Sequence, residues 1–456
     1  VVGRFLAAVL AAFAARGCVD APAWGHREAL ILSTLAEDNL RWAARDPELL
    51  RAKYARMLVD DVGWMRGTTA LFWRDLTTTG TWAWPTAFGS GPSARVLLLG
   101  DPHPENLGTY VAADGTATLD WNDFDATGYG PYWGDVRRWA VACAVAVGAD
   151  EDRATALARI AGRAYADAMG QPLRGPTTLG EHALVDEELR DAQVDARDGL
   201  TLDALAPVGA DGRRALRRGP LDPDDPTDAL AELPDAERAV AVRAWADRAL
   251  ADLGWSAPAR TVRDAARRYG SGVASFPALR YLVLVEGPTA SPADDALVEL
   301  KEVGEGVRVV DAPALDAAGW GSSAERAVAT QRQLMARADL DPAASWVSAG
   351  ATSFRSRTRD GSQRNLDAEA LRDLEAEDPA AVDAFVQLGS EMLARAHGGA
   401  ATADGVLGQA VIAPLLGGRE AGFADEVAAF AGAYLGRLRA DRRLMASVDI
   451  VAETVR

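Results

Sequence analysis

At 456 residues, 49% apolar and 25% charged, the chain has the length for two or three cores and the composition of an ordinary globular protein. A net charge of −18 disfavours a nucleic-acid backbone as partner, because that ligand demands a basic surface. The two cysteines, Cys18 and Cys143, have no Cys or His neighbours at zinc-ligand spacing, and no apolar run approaches the ~20 residues of a transmembrane helix.

The first eighteen residues carry an early Arg, an apolar run Phe5–Ala15 and then small residues before Cys18. Residues 1–20 therefore have the layout of a secretory signal with a lipoprotein cleavage site at Cys18. Arg16 is an odd neighbour for such a site, so two addresses stand open: an exported lipoprotein with a lipid anchor at Cys18, or a cytoplasmic protein with a fraying first helix. From Glu28 to Leu76 apolar residues recur at helical steps. Within Trp64–Trp73, an aromatic segment, Arg66 is suited to a phosphate or a carboxylate. Thr77–Pro92 reads as a loop.

The stretch Arg95–Asp125 holds most of the chemistry. Val96–Leu99 is short and apolar enough for a buried strand, and Gly100–Asn106 contains two prolines that exclude helix and central strand. Leu107–Val111 and Thr116–Asp120 read as a hairpin closed at Asp114-Gly115. A two-residue turn sets Asn106 opposite Asp123 and a four-residue loop sets it opposite Trp121, beside Asp120. Either register brings a carboxylate within roughly 5–8 Å of Asn106. Asp101, Asn106, Asp120, Asp123 and Asp125 are thus expected to converge, as hard oxygen donors for Mg²⁺ and bound phosphates rather than zinc. The plainer alternative is a turn rich in Asp and Asn for its backbone geometry, but the acids sit at the strand ends. His103 is the only histidine in this segment.

Beyond a Gly/Pro breaker at Gly128–Pro131, Trp133–Val147 reads as an apolar helix, with Asp135, Arg137 and Arg138 as local helix-start electrostatics. Cys143 within it is expected to be a buried small hydrophobe. Residues 170–258 are dense in Pro, Gly, Asp and Arg and read as an exposed connection followed by a helix over Asp235–Leu253. A second organised region opens near Thr261: a loop Tyr269–Ser275, a strand Leu279–Glu286 and a strand Ala296–Val303 bearing Lys301. A lysine aimed at a cleft from mid-strand can hold phosphates, although most strand lysines face water. A helix over Ala324–Ala338 offers Glu325 as its partner. Trp346–Arg357 alternates like strand, and Asp378–Ala396 and Phe423–Arg443 close the chain as helices.

The loop Gly100–Asn106 followed by Leu119-Asp120-Trp121 resembles the catalytic and metal-binding loops of aminoglycoside and choline phosphotransferases, members of the protein-kinase-like superfamily. More closely, the chain resembles bacterial domain-of-unknown-function family 2252. The matching pieces are Met65-Arg66-Gly67, Gly100–Gly108, Asn122–Asp125, Gly130-Pro131 with Trp133 and Asp135, Arg280-Tyr281, Lys301-Glu302 and Leu393–His397.

The resemblance implies Asp101 as the base for a substrate hydroxyl, with His103 beside it, and Asn106 as a Mg²⁺ ligand. Asp120 would be the second metal ligand, with Asp123 as its rival and Asp125 nearby. Lys301, oriented by Glu325, would hold the α/β-phosphates of ATP or another nucleotide, with Gly272, Ser275 and Arg66 as further contacts. The implied fold is α+β and kinase-like, with two lobes in rearranged order, because Lys301 follows the catalytic loop instead of preceding it. Residues 28–258 would form a helical catalytic-loop region, 259–360 a β-rich nucleotide lobe, and 361–456 helices packed on the catalytic lobe. Two departures count against catalysis. Ala274 and Pro277 stand where the family pattern tends to have glycine, limiting close backbone approach to a phosphate, and an exported protein would meet little ATP. Three functions therefore compete: a Mg²⁺- and nucleotide-dependent phosphotransferase acting on a small molecule or protein, a silent kinase-like binding protein, and a metal-dependent hydrolase.

Overall fold

The computed structural model describes residues 23–77, 84–89, 91–198, 200–221, 227–243, 245–246, 261–289, 291–305, 319–450 and 453. The signal and lipid-anchor expectation at Cys18 lies outside them, as does the end of the helix expected over Asp235–Leu253.

Four helices open the described chain: α1 (Ala23–Arg45), α2 (Pro47–Leu58), α3 (Asp61–Gly67) and α4 (Thr69–Thr77). Asp46 and Asp60 start α2 and α3 by accepting the amides of Leu49 and Gly63, with Pro47 at a first-turn position where no amide is needed. Strand β1 (Arg95–Leu98) pairs with β4 (Gly128–Pro131), and between them β2 (Leu107–Val111) and β3 (Ala117–Trp121) form a hairpin. Helix α5 (Tyr132–Ala146) follows, and all fifteen of its residues are buried, as suits a helix apolar nearly all round. It is enclosed by α3, by α6 (Glu151–Met169), and by α11 (Pro379–Gly399) and α13 (Glu420–Met445) from the far end of the chain.

The segment read as an irregular connection contributes more than expected. It holds helices α7 (Ala183–Asp198) and α8 (Leu200–Leu205), and strands β5 (Gly219–Pro220) and β6 (Ala229–Glu232). Those strands extend a seven-stranded antiparallel sheet with β7 (Val262–Tyr269), β8 (Arg280–Val285), β9 (Ala296–Glu302), β10 (Ser345–Ala349) and β11 (Thr352–Thr358), in the order β10-β11-β9-β8-β7-β6-β5. Asp235–Glu237 is a single helical turn that passes into a π-helical stretch. Helix α9 (Ser323–Leu334) packs on β10 and β11. Helices α10 (Ala368–Glu377) and α12 (Gly408–Leu416) complete the helical part.

The sheet is buried on both faces along β8. Tyr281, Val283 and Val285 join one apolar cluster, while Leu282 and Leu284 join another with Leu297 and Leu216. That second face changes character along the strands: past Leu282 it carries Arg280, and its neighbour β9 carries Glu299 and Lys301. A sheet face that begins as core therefore ends as a charged wall. The chain is α+β with antiparallel pairing, and among the described residues no helix is long and apolar enough to cross a membrane.

A buried lysine gives the helical layer a pH signature. Lys53 on α2 is fully buried, donates to Asn39 Oδ1 at 2.5 Å and stands over the Trp42 ring. Burial pushes its pKa down to about 8, outweighing the pull of Asp38. An unfolded lysine titrates near ~10.4, so between these values the unfolded chain binds the extra proton and stability rises with pH. Below about pH 8 both states are protonated and the penalty is complete. In urea titrations, the stability gap between Lys53→Met and the unaltered chain is expected to move against the variant by on the order of 2 kcal/mol from pH 7.5 to 10. A gap that does not change with pH would contradict this.

Candidate functional site

A cavity of about 260 Å³ opens between the charged wall of the sheet and the loop that follows β1. Asp135 fixes that loop. From the first turn of α5 its buried carboxylate accepts the amides of Leu99, at 2.7 Å, and Gly100, at 3.1 Å, and meets His397 Nε2 of α11 at 3.0 Å. Tyr165 of α6 completes the chain through His397 Nδ1 at 2.8 Å. This corrects the expectation of helix-start electrostatics: Asp135 works across elements, satisfying two backbone donors that the end of a buried strand would otherwise leave bare.

One residue further on, Asp101 lines the cavity with its carboxylate clamped. Its Oδ1 receives Arg138 Nε at 2.8 Å, and its Oδ2 receives the Thr69 hydroxyl at 3.0 Å. Asn106 donates its side-chain amide to the Asp101 carbonyl at 2.9 Å. His103, 3% exposed, also lines the cavity, and its Nδ1 has no hydrogen-bond partner. Burial, aided by Arg66 and Arg138, pushes its pKa down to about 3, so the imidazole is neutral at physiological pH. Arg66 sits at the rim, paired with Glu105 at 2.9 Å, and burial raises that carboxyl against Arg66's pull.

The hairpin takes neither expected register. Leu107 faces Trp121 and Val111 faces Ala117, so Asn106 stands opposite Asn122, whose amide donates to the Asn106 carbonyl at 3.0 Å. The turn is three residues long and places Gly115 at φ +84°, a geometry only glycine takes at low cost. Gly108 is required for a different reason. A β-carbon there would lie 2.3 Å from Asn122 Nδ2, the group that donates to Asn365 at the cavity edge.

The expected acids separate. Asp120 is not brought into the cavity: it is buried on the other side, where its Oδ2 accepts the Ala336 amide at 2.6 Å and its Oδ1 the Trp121 amide at 2.9 Å. Burial raises its carboxyl, against Arg395 and those amides. Asp123 does line the cavity, while Asp125 is not among the lining residues but meets the same lysine, Lys301. Lys301 Nζ reaches Asp123 at 3.1 Å and Asp125 at 2.5 Å, and Arg355 reaches both at 3.4 and 3.1 Å. Burial opposes the charge on Asp123, but Lys301 and Arg355 prevail and hold its carboxyl below the usual range.

Lys301 thus points inward, 5% exposed at its side chain, with acids of the helical part as counterions. Glu325 is not its partner. That carboxylate accepts the Gly321 amide at 2.8 Å while the Ser322 hydroxyl accepts the Glu325 amide, a reciprocal cap at the start of α9. Arg326, one residue on, donates to the carbonyls of Asp125, Thr127 and Gly304 and ties α9 to the acid-bearing segment.

The charged wall itself was not anticipated. The register aligns Arg280, Lys301 and Arg355 across β8, β9 and β11, and the next row places Glu299 opposite Arg357. Arg355, Arg357 and Arg359 alternate along one strand direction, a two-residue spacing that puts them on one face. That spacing was the available signal. The loop over this wall includes Gly272, at φ +81°, and Ser271 and Ser275, whose hydroxyls accept from Arg280 at 3.1 and 3.3 Å. Among the described residues no three His, Cys, Asp or Glu side chains gather as a metal cage.

Fold and site together define an α+β protein in which a cation-bearing antiparallel sheet closes over the loop carrying Asp101 and Asn106 and over Asp123, which follows β3. The family described as an uncharacterized protein conserved in bacteria, DUF2252, matches residues 45–446, and the chain belongs to it. Neither the curated proteins nor the solved structures yield a match.

Proposed function

We propose that the cavity binds a nucleotide with Mg²⁺ and transfers its terminal phosphoryl group to a hydroxyl of a small molecule or protein, with a kinase-like division of labour. The supporting observation is the contact of Lys301 with Asp125 and with Asp123, the latter 178 residues earlier in the chain, at a cavity that also holds Asp101, Asn106 and Gly272. A strand-borne lysine, a glycine-bearing loop, a carboxylate base and an Asn/Asp pair are the parts such transfer uses, mostly for positioning and charge neutralisation.

Asp101 receives the acceptor's proton in this reading. A carboxylate has about four acceptor positions; Arg138 and Thr69 fix the group and leave Oδ2 able to accept one more bond. The acceptor oxygen bonds to the terminal phosphorus, the bridging P–O bond breaks toward the nucleoside diphosphate, and the proton passes to Asp101. His103, neutral, serves as a hydrogen-bonding wall and not as a proton-donating imidazolium. Asn106 and Asp123 are two hard oxygen donors on one cavity, which fits Mg²⁺, an ion that commonly takes one or two carboxylates and completes its shell with phosphates and water. When bound, the metal would neutralise phosphate charge. Lys301 brings its ammonium to the same place from the sheet.

A second reading, binding without transfer, draws support from the loop above the wall. The amides of Phe276 and Ala278 are used on the carbonyls of Val273 and Ser275, and amides so occupied are not free to cradle a phosphate. Thermal unfolding with ATP and Mg²⁺ tests both readings. At ~100 times Kd, ligand adds about 2.7 kcal/mol, a rise of a few degrees, expected to need Mg²⁺ and to be lost in Asp123→Ala, where Asp125 still pairs with Lys301 and Arg355. No magnesium-dependent rise in the unaltered chain would overturn nucleotide binding. A rise without phosphate release or transfer would favour the silent binder.

A further inference from the structure

The sheet wall holds more positive charge than its own acids neutralise. Arg280, Arg357 and Arg359 all line the cavity. The carboxylate that Arg357 and Arg280 share is Glu299, 1% exposed, which accepts from Arg357 Nε at 2.9 Å and lies 3.5 Å from Arg280. Arg268 also approaches Glu299, but has its own partner in Asp228 at 2.8 Å. Among the described residues no carboxylate pairs with Arg359, while its backbone amide is held on Leu297 and keeps the residue in line with the strand. Three guanidiniums against one buried carboxylate leave about two positive charges facing the cavity, in a chain whose net charge is −18. Burial and the crowding of Arg357, Arg268 and Arg280 push Arg359 down to about 9, so it keeps its charge at neutral pH and is repelled by its neighbours. Unpaired charge in a partly desolvated pocket is costly unless a counterion enters.

We infer that Arg280, Arg357 and Arg359 form a subsite for a dianionic phosphoryl group, beside the Lys301 position and separate from it. Planar guanidiniums on one sheet face match the oxygens of such a group better than ammonium point charges would. The charge could arrive on the acceptor, as a phosphate monoester, or on the nucleotide's own polyphosphate. The inference extends the phosphotransferase reading by naming the chemical class this wall takes, but anion capture does not depend on transfer.

The experiment is calorimetric titration of the full chain with inorganic phosphate, with and without saturating Mg²⁺ and ADP, on the unaltered protein and on Arg359→Gln. Removing Arg359 leaves Glu299 with Arg280 and Arg357, so the fold should persist. Phosphate affinity is expected to fall at least tenfold, while the ligand-free melting temperature holds or rises because like-charge crowding is relieved. Arg197→Gln, which changes an exposed pair with Asp198, is the control for net charge and should bind as the unaltered chain does. Phosphate binding that persists beside Mg²⁺ and ADP places the dianion outside the diphosphate, at the terminal-phosphoryl or acceptor position; competition places it on the diphosphate, and either supports the subsite. If Mg²⁺ and ADP do not bind but phosphate does, the phosphotransferase reading falls and the subsite stands. Unchanged phosphate affinity in Arg359→Gln, or a lower melting temperature with affinity intact, overturns the subsite and makes the arginines scaffolding.

Discussion

Replacing Asp101 with Asn is expected to lower phosphate release from Mg²⁺ and ATP by about 10²–10⁴-fold, the usual contribution of a positioned base, while nucleotide affinity stays within a few-fold. The reason is geometric. Arg138 and Thr69 hold the Asp101 side chain in place, and an amide oxygen can still accept from Arg138, so the loop keeps its shape while the proton acceptor is lost. Asp123→Ala should act on the opposite quantity, because Asp123 faces the sheet cations and Asp101 does not. The pair of variants therefore separates chemistry from binding. Single-turnover phosphate release and equilibrium titration on both are the measurements, and equal loss of affinity in the two would show that Asp101 merely builds the cavity. Asp101→Asn also leaves Arg138, 1% exposed at its side chain, with a weaker partner, so its melting curve belongs beside the kinetics.

The largest stability effect is expected at Arg27. This arginine of α1 is buried between Asp75 of α4 and Asp441 of α13, donating to Asp75 Oδ2 at 2.7 Å and to Asp441 Oδ1 at 3.0 Å. Burial opposes its charge, yet the two carboxylates hold the guanidinium above its ordinary range. Arg27→Met removes the cation and leaves two buried carboxylates, with Tyr434, on Asp75, and Arg437, on Asp441, as their remaining partners among the described residues. Breaking a buried ionic group from one side costs about 3–5 kcal/mol, whereas replacing the whole group by apolar side chains is often neutral or stabilising. Urea denaturation should thus show the single variant several kcal/mol less stable, and Arg27→Met with Asp75→Leu and Asp441→Leu restored most of the way. A single variant as stable as the unaltered chain would mean that the network contributes little.

Periodicity and turn chemistry were legible where the cause was local. The hairpin after the Gly100–Asn106 loop, the strands around Arg280 and Lys301, and the long C-terminal helices all follow from spacing and breakers. The hairpin register was not, because Asp-Gly closes turns of two, three or four residues, and the choice was made by where Gly115 takes its positive φ. That one-residue difference set Asn106 against Asn122 instead of an acid. Strands β5 and β6 were hidden because they are short, β5 being only Gly219-Pro220, and because they are stabilised by neighbours that come later in the chain. Asp135 was misjudged because its partners, Leu99, Gly100 and His397, lie outside its own helix. Two features were readable and went unread: Ser322 three residues before Glu325, a capping pattern that occupies the acid, and the alternating arginines 355, 357 and 359.

The closure of the helical layer by Arg27 and Asp441, 414 positions apart, also dictates a schedule. A ribosome adding about 5–20 residues per second needs roughly 20–80 s to travel from one to the other. Throughout that interval the nascent α1 carries its arginine and the apolar face of Ile31 and Leu35 with the final counter-ion still unmade. Completion therefore waits for α13, and the nascent chain must stay soluble, by its own acidity or in the keeping of a chaperone, until that helix emerges.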